Sequence, residues 1–143
     1  MPHTIEILML KEHRRLDKLL EDLEKNLDDY EKTKKNFNIL KWNLQKHFFI
    51  EEKVIFDSFI RISGQETFDT FNLLEEHVKI IEFMKSIEKK LKNKIKPDIQ
   101  NLKGIIRVHR NFEDLDFYPG LDERLTLEQK KEISKKINEI IRE

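Results

Sequence analysis

Residues 44–56 read LQKHFFIEEKVIF, an apolar helical run interrupted by His47, Glu51 and Glu52. At about 100° per residue, His47 and Glu51 project onto the same stripe as the neighbouring leucine, valine and isoleucine side chains. A buried carboxylate without a partner is strongly destabilising, so this stretch requires a counter-charge, a proton or a metal ion. The fold and the function therefore depend on which other polar residues share this core.

Glycine and proline divide a chain that has helical periodicity throughout. Breaks are predicted at Gly64, at Pro97 and at the Pro119-Gly120 pair, and no segment alternates as a strand would. The spacing predicts four long helices, over about residues 4–30, 34–62, 66–94 and 97–117. A capping-box pattern from Thr126 to Gln129 begins a shorter helix over about residues 126–142. Long helices with short connections favour an all-α, up-down-up-down four-helix bundle (about 4–118) with a short C-terminal helix, in a single domain over residues 1–143.

The composition excludes several classes of protein. Lys plus Arg and Asp plus Glu number 28 each, so no net charge favours nucleic acid or an anionic membrane as a partner. Cysteine is absent, which removes disulfides, thiolate nucleophiles, iron–sulfur clusters and thiolate zinc sites. The sequence shows neither a signal-peptide pattern nor an apolar run of membrane-spanning length, so a cytoplasmic location is expected.

The same angular test places one histidine on the apolar stripe of every predicted bundle helix, and two of these histidines have a glutamate four residues later. A single buried histidine is more often a hydrogen-bonded core residue than a ligand. Antiparallel pairing, however, brings all of these residues to within about one helical turn, roughly 5–6 Å, of one height. The sequence thus predicts one buried polar layer made of His13, His47, Glu51, His77, His109 and Glu113.

Imidazoles and carboxylates together indicate a pair of metal sites, because carboxylates can bridge two cations and imidazole suits iron, zinc, copper and nickel. The absence of thiolate argues against a structural zinc site. The spacing is His-x-x-x-Glu, whereas ferritin-like di-iron bundles use Glu-x-x-His, so a ferritin-like protein is disfavoured.

Four stretches carry a resemblance to a known family: KEHRRL around His13, HFFIEEKVIF around His47, EEHVKI around His77 and HRNFEDLDFYPGL around His109. Together they resemble the hemerythrin family, also called the HHE cation-binding domain, over about residues 5–125. The resemblance implies a four-helix bundle around a non-haem di-iron centre, with two iron ions bridged by oxo or hydroxo. It also implies that the six residues of the polar layer are the metal ligands.

Two positions depart from the oxygen-carrying hemerythrins. Those carriers have a further histidine where this chain has Leu73, and an aspartate five residues after the last histidine, where this chain has Glu113 at four. The ligand pattern is most similar to the di-iron domain of iron-cluster-repair proteins. Such repair proteins usually carry an additional N-terminal domain with cysteines, which this sequence lacks.

The ligand count suggests what the centre does. If both glutamates bridge and each iron takes two histidines, each iron has four protein donors. An oxo or hydroxo bridge would supply a fifth, so one octahedral position stays open on each metal. That arrangement favours binding and reduction of a small ligand, such as O2, NO or peroxide, over simple reversible oxygen storage. The alternative is a protein that binds, senses or stores oxygen or iron without turnover.

Residues around the predicted layer give four further expectations. Trp42, Phe49 and Phe56 recur every seven residues on the side of the second helix away from the metal layer, so they are expected either to be covered by the C-terminal helix or to form a homo-oligomer contact. Asp17 and Asp116 are candidates to accept a hydrogen bond from a metal-bound imidazole. Tyr118 would face away from the site if the fourth helix continued regularly, and His3 lies outside the layer.

Overall fold

The computed structural model describes residues 4–63 and 68–142, and all regular structure in these ranges is helical. The first bundle helix is α1 (Thr4–Lys25). The second begins as α2 (Tyr30–Phe49), passes through a π-helical segment, π1 (Ile50–Phe56), and continues as α3 (Asp57–Ser63).

The third bundle helix is α4 (Phe68–Lys92). The fourth begins as α5 (Gln100–Phe112) and continues through a second π-helical segment, π2 (Glu113–Phe117), into α6 (Tyr118–Arg124). The C-terminal helix is α7 (Leu127–Arg142). The predicted all-α bundle with a short C-terminal helix is thus confirmed.

Hydrogen bonds between helices fix the antiparallel order. Asn36 Nδ2 donates to Asp22 O at 3.2 Å near one end of the α1/α2 pair, while His13 and His47 meet further along the same pair. Lys103 Nζ donates to Glu24 at 2.7 Å between α5 and the end of α1. Neighbouring bundle helices therefore run in opposite directions, which brings residues distant in sequence to one height.

Two predicted helix starts differ from the structure. The second helix begins four residues early, because Asp29 caps it by accepting from the backbone N–H of Lys32 at 3.1 Å. The fourth begins at Gln100 rather than Pro97, since Asp98 accepts from the Gln100 N–H at 2.9 Å. The predicted C-terminal capping box is confirmed: Gln129 N–H donates to Thr126 Oγ1 at 3.1 Å.

The predicted break at Pro119-Gly120 is wrong, because the helix runs on to Arg124. A proline inside an α-helix removes an i→i−4 hydrogen bond and collides with the carbonyl four residues earlier. Here Pro119 directly follows a π turn, in which the Tyr118 N–H bonds to the Glu113 carbonyl five residues back. The wider turn leaves room for the proline ring and has already interrupted the i→i−4 ladder.

The π turns also change which residues face the core. Each i→i+5 turn inserts one residue relative to an α-helix, so the residues that follow are rotated by about 100° from their projected positions. Phe56 is the last residue of π1, is 1% exposed, and has its ring centroid 5.9 Å from that of His77, so its predicted position away from the polar layer is wrong. Trp42 and Phe49 precede π1 and are 63% and 53% exposed, so the C-terminal helix does not cover them. A homo-oligomer contact through these two side chains stays a prediction.

Buried apolar side chains form two clusters, and the polar layer lies between them. One contains Met9, Leu73 and Phe56 and is extended by residues of α7 such as Ile133 and Ile137. The other occupies the opposite half of the bundle, with Leu16, Leu44, Ile80 and Ile106 next to the polar layer. Within the described residues, no helix is sufficiently long and apolar to cross a bilayer.

Candidate metal centre

The structure brings together all of the predicted site residues in one layer. Helical periodicity directs one histidine of each bundle helix inward, and each π segment holds a glutamate within its first two positions, beside the histidine that precedes it by four residues. All of these side chains are buried: His13, His47, Glu51, His77, His109 and Glu113.

The layer divides into two overlapping groups whose potential ligand atoms lie within 4.8 Å of one another. One group holds His13 and His47, the other holds His77 and His109, and both include Glu51 and Glu113. The structure thus gives the pairing of histidines that the sequence left open. Each group offers two imidazole nitrogens and two carboxylates.

Each glutamate places its Oε1 atom between the two histidine pairs. Glu51 Oε1 lies 3.3 Å from His47 Nε2 and 2.9 Å from His77 Nε2. Glu113 Oε1 lies 3.2 Å from His13 Nε2 and 3.3 Å from His109 Nε2. Both carboxylates therefore occupy bridging positions between the two groups.

Three of the histidines hold a carboxylate at their outer nitrogen, Nδ1. His13 Nδ1 lies 2.7 Å from Asp114, and His109 Nδ1 lies 2.7 Å from Glu76. His77 Nδ1 lies 2.8 Å from Glu52. Since an ionised carboxylate only accepts, these Nδ1 atoms are the donors, and the Nε2 atom of each neutral ring carries a lone pair directed into the layer.

This arrangement fits a pair of bound cations. The Nε2 atoms of His77 and His109 are 3.1 Å apart, and those of His13 and His47 are 3.2 Å apart. Two lone pairs at that distance repel unless a positive charge lies near both. Within residues 4–63 and 68–142, the buried Glu113 Oε1 also has no hydrogen-bond partner. The layer is therefore incomplete as a hydrogen-bond network, and its imidazole and carboxylate groups are of the types that bind metal ions.

Electrostatics in the metal-free protein point the same way. Burial disfavours the charged form of His109, but Glu113, Glu51 and Glu76 outweigh it and raise the pKa of His109 to about 10. Burial and the neighbouring Glu51 charge raise the pKa of Glu113 well above its ordinary value. Burial would also raise the pKa of Glu51, but contacts with His47, Glu113 and His109 outweigh it and hold that pKa well below its ordinary value. Protons thus provide the positive charge that a metal would otherwise supply.

Tyr118 closes one face of the centre, so its predicted outward position is wrong. Its hydroxyl donates to Glu51 Oε2 and lies 3.2 Å from Glu113 Oε2. Burial and the two adjacent glutamates raise the pKa of Tyr118 well above its ordinary value, so the hydroxyl keeps its proton. The rotation imposed by π2 turns this side chain inward.

The opposite face of the centre is mainly apolar, although the paired side chains of Asp17 and Arg110 also line it. A cavity of about 20 Å³ adjoins His13, His47 and His109 and is otherwise lined mainly by aliphatic side chains, among them Leu16, Leu44, Ile80 and Ile106. Leu44 and Phe48 also line an outer groove of about 430 Å³ between α2 and α4. The Phe48 ring stacks on His77 with centroids 4.0 Å apart. The Leu44 and Phe48 side chains therefore lie between the groove and the centre.

The predicted outer partners of the histidines are corrected by the structure. Asp17 pairs with Arg110, and Asp116 is exposed. The carboxylates that bond a histidine Nδ1 belong instead to Glu52, Glu76 and Asp114. Each is adjacent in the sequence to a residue of the layer, in the pairs EE, EH and ED. Each bonds a histidine of another helix, so spacing within one helix could not predict the contact. The only sequence signal was an acidic residue directly beside a residue of the layer. His3 lies outside the described residues.

Comparison with known proteins agrees with this geometry. Searches of curated proteins and of solved structures find no match to the chain. The sequence profile of the hemerythrin HHE cation-binding domain matches residues 4–121, which include every residue of the polar layer. The chain therefore belongs to the hemerythrin HHE cation-binding family.

Proposed function

We propose that this chain is a non-haem di-iron protein that binds and reduces a small ligand such as O2, NO or peroxide. The observation that carries the proposal is the sharing of Glu51 and Glu113 by two histidine pairs, which offers two adjacent cation positions. Imidazole and carboxylate donors without thiolate suit iron, and membership of the HHE family supports a cation in this layer.

The number of protein donors supports ligand binding. Each position has four protein donors, two imidazoles and two carboxylates, which is fewer than the six of an octahedral ion. A bound iron pair would supply the electrons for reduction and the free coordination positions for the ligand. The protein supplies the buried, shaped surroundings that keep bulk water out.

The two faces of the centre suggest the direction of approach. On one face Tyr118 keeps its proton and holds the Oε2 atoms of both glutamates, so it positions their Oε1 atoms toward the histidines. On the other face the small aliphatic cavity has room for about one water-sized molecule. A diatomic ligand such as O2 or NO that enters through the Leu44 and Phe48 side matches that size and polarity.

Metal content tests the proposal directly. Protein purified in air should contain about two irons per chain by elemental analysis and show the visible absorption of a di-ferric centre. Zinc, or the absence of metal, would contradict it. Turnover with NO and with peroxide then separates a reductase from the alternative, a protein that binds, senses or stores oxygen or iron without turnover.

A further inference from the structure

The four histidines of the centre differ in what supports their outer nitrogen. His77 and His109, which form one pair, each donate from Nδ1 to a carboxylate, Glu52 and Glu76. In the other pair, His13 donates to Asp114. The Nδ1 atom of His47 is buried and has no hydrogen-bond partner among the described residues.

A carboxylate at Nδ1 orients an imidazole and makes its Nε2 a stronger metal ligand. Loss of such a partner typically lowers metal affinity about 10- to 100-fold. Asp114 is 12% exposed, against 34% for Glu52 and 29% for Glu76, so its bond is the least screened of the three. Asp114 acts on His13 alone, however, and leaves the His47 ring without support.

We propose that the two metal positions are unequal: the His77/His109 position binds its ion first and more tightly, and the His13/His47 position loads last and releases its ion first. This inference rests on the proposed metal centre. It adds that the chain holds a single ion when metal is scarce. Chemistry that needs both ions then begins only when the free metal concentration exceeds the dissociation constant of the weaker position.

The test uses Co²⁺ as the probe, because its visible absorption reports each binding step. Metal-free protein is titrated at pH 7.5 together with four variants, Glu52→Gln, Glu76→Gln, Asp114→Asn and the exposed neighbour Glu75→Gln. Two adjacent dications repel each other, so two steps are expected even from equal positions. The decisive result is which step each variant weakens.

Glu52→Gln and Glu76→Gln should both weaken the first step by about tenfold or more, and so bring the two dissociation constants together. Asp114→Asn should weaken the second step and move them apart, while Glu75→Gln should change neither. Circular dichroism of the metal-free variants checks that each one folds. A crystal grown with one equivalent of Co²⁺ should show its anomalous signal at the His77/His109 position.

Equal occupancy of both positions, or cobalt first at His13 and His47, would overturn the inference. So would an Asp114→Asn variant that weakens the same step as Glu76→Gln. Ordered cobalt steps in a protein that is purified without iron would refute the di-iron proposal and still support the inequality. Failure to bind cobalt at all would overturn both.

Discussion

Tyr118→Phe removes the hydroxyl that contacts both buried glutamates, Glu51 and Glu113. In the metal-free protein this hydroxyl donates to Glu51 in a fully buried position. A hydrogen bond to a charged group contributes about 1.5–3 kcal/mol, and phenylalanine offers no donor in its place. We therefore expect the free energy of unfolding to fall by about 2–3 kcal/mol.

For a chain of 143 residues, 1 kcal/mol corresponds to about 3–4 °C in Tm, so the expected decrease is about 6–12 °C. The assay is thermal unfolding, followed by circular dichroism, of protein dialysed against a chelator. Working without metal matters because bound ions would stabilise the same carboxylates and add a ligand-dependent increment to Tm.

The other tyrosine of the chain provides a matched control. Tyr30 donates to the Leu91 carbonyl at 2.8 Å, a neutral bond at a partly buried position. Tyr30→Phe should lower the free energy of unfolding by about 1 kcal/mol, or Tm by about 3–4 °C. If Tyr118→Phe costs no more than Tyr30→Phe, the inward position of Tyr118 and its bond to Glu51 are wrong.

Four further substitutions test other parts of the site. Glu51→Ala removes a carboxylate common to both positions, so elemental analysis of this variant should show the loss of at least one metal ion. The control Glu75→Ala changes an exposed side chain and should keep both ions, and equal iron content in the two variants would refute the assignment of Glu51. Leu73→His should offer a third imidazole to the position that holds His77, so NO or peroxide turnover should fall, and unchanged turnover in an iron-replete variant would exclude a need for two open positions. Leu44→Phe should fill the cavity of about 20 Å³ and lower the free energy of unfolding by about 1–3 kcal/mol. It should also slow azide binding to the iron-loaded protein, and an unaltered binding rate would place the ligand entrance elsewhere. Pro119→Ala should change the free energy of unfolding in urea by less than about 1 kcal/mol, and a gain near 3 kcal/mol would show that the π turn does not relieve the proline.

The sequence carried enough information for the fold class and for the composition of the polar layer. Helical periodicity is a local property, so one histidine per helix could be assigned to the inward face from spacing alone. Antiparallel pairing with short turns then fixed the heights to within about one turn, even though several helix ends were misplaced by a few residues. The prediction that these six side chains meet therefore did not depend on exact boundaries.

The orientation of the side chains that follow Glu51 and Glu113 could not be predicted from helical periodicity. A projection at 100° per residue assumes an unbroken α-helix, and one i→i+5 turn shifts every later residue by about one position. Phe56 is the last residue of π1 and Tyr118 directly follows π2, and both were assigned to the wrong side. A π turn is less favourable than α-helix locally, so it persists only where tertiary packing stabilises it, and no residue propensity marks its position.

The outer partners of the histidines also depended on the assembled bundle. Glu52, Glu76 and Asp114 each act on an imidazole of a different helix, at a distance set by how the two helices pack. Sequence spacing relates residues of one helix only, which is why it favoured Asp17, one turn from His13, over Asp114 on the facing helix. The sequence by itself determined which residues enter the layer, because that choice follows from the period of one helix. Tertiary structure alone decided how the histidines pair and which of them lack support, because those contacts form between helices that the sequence does not align.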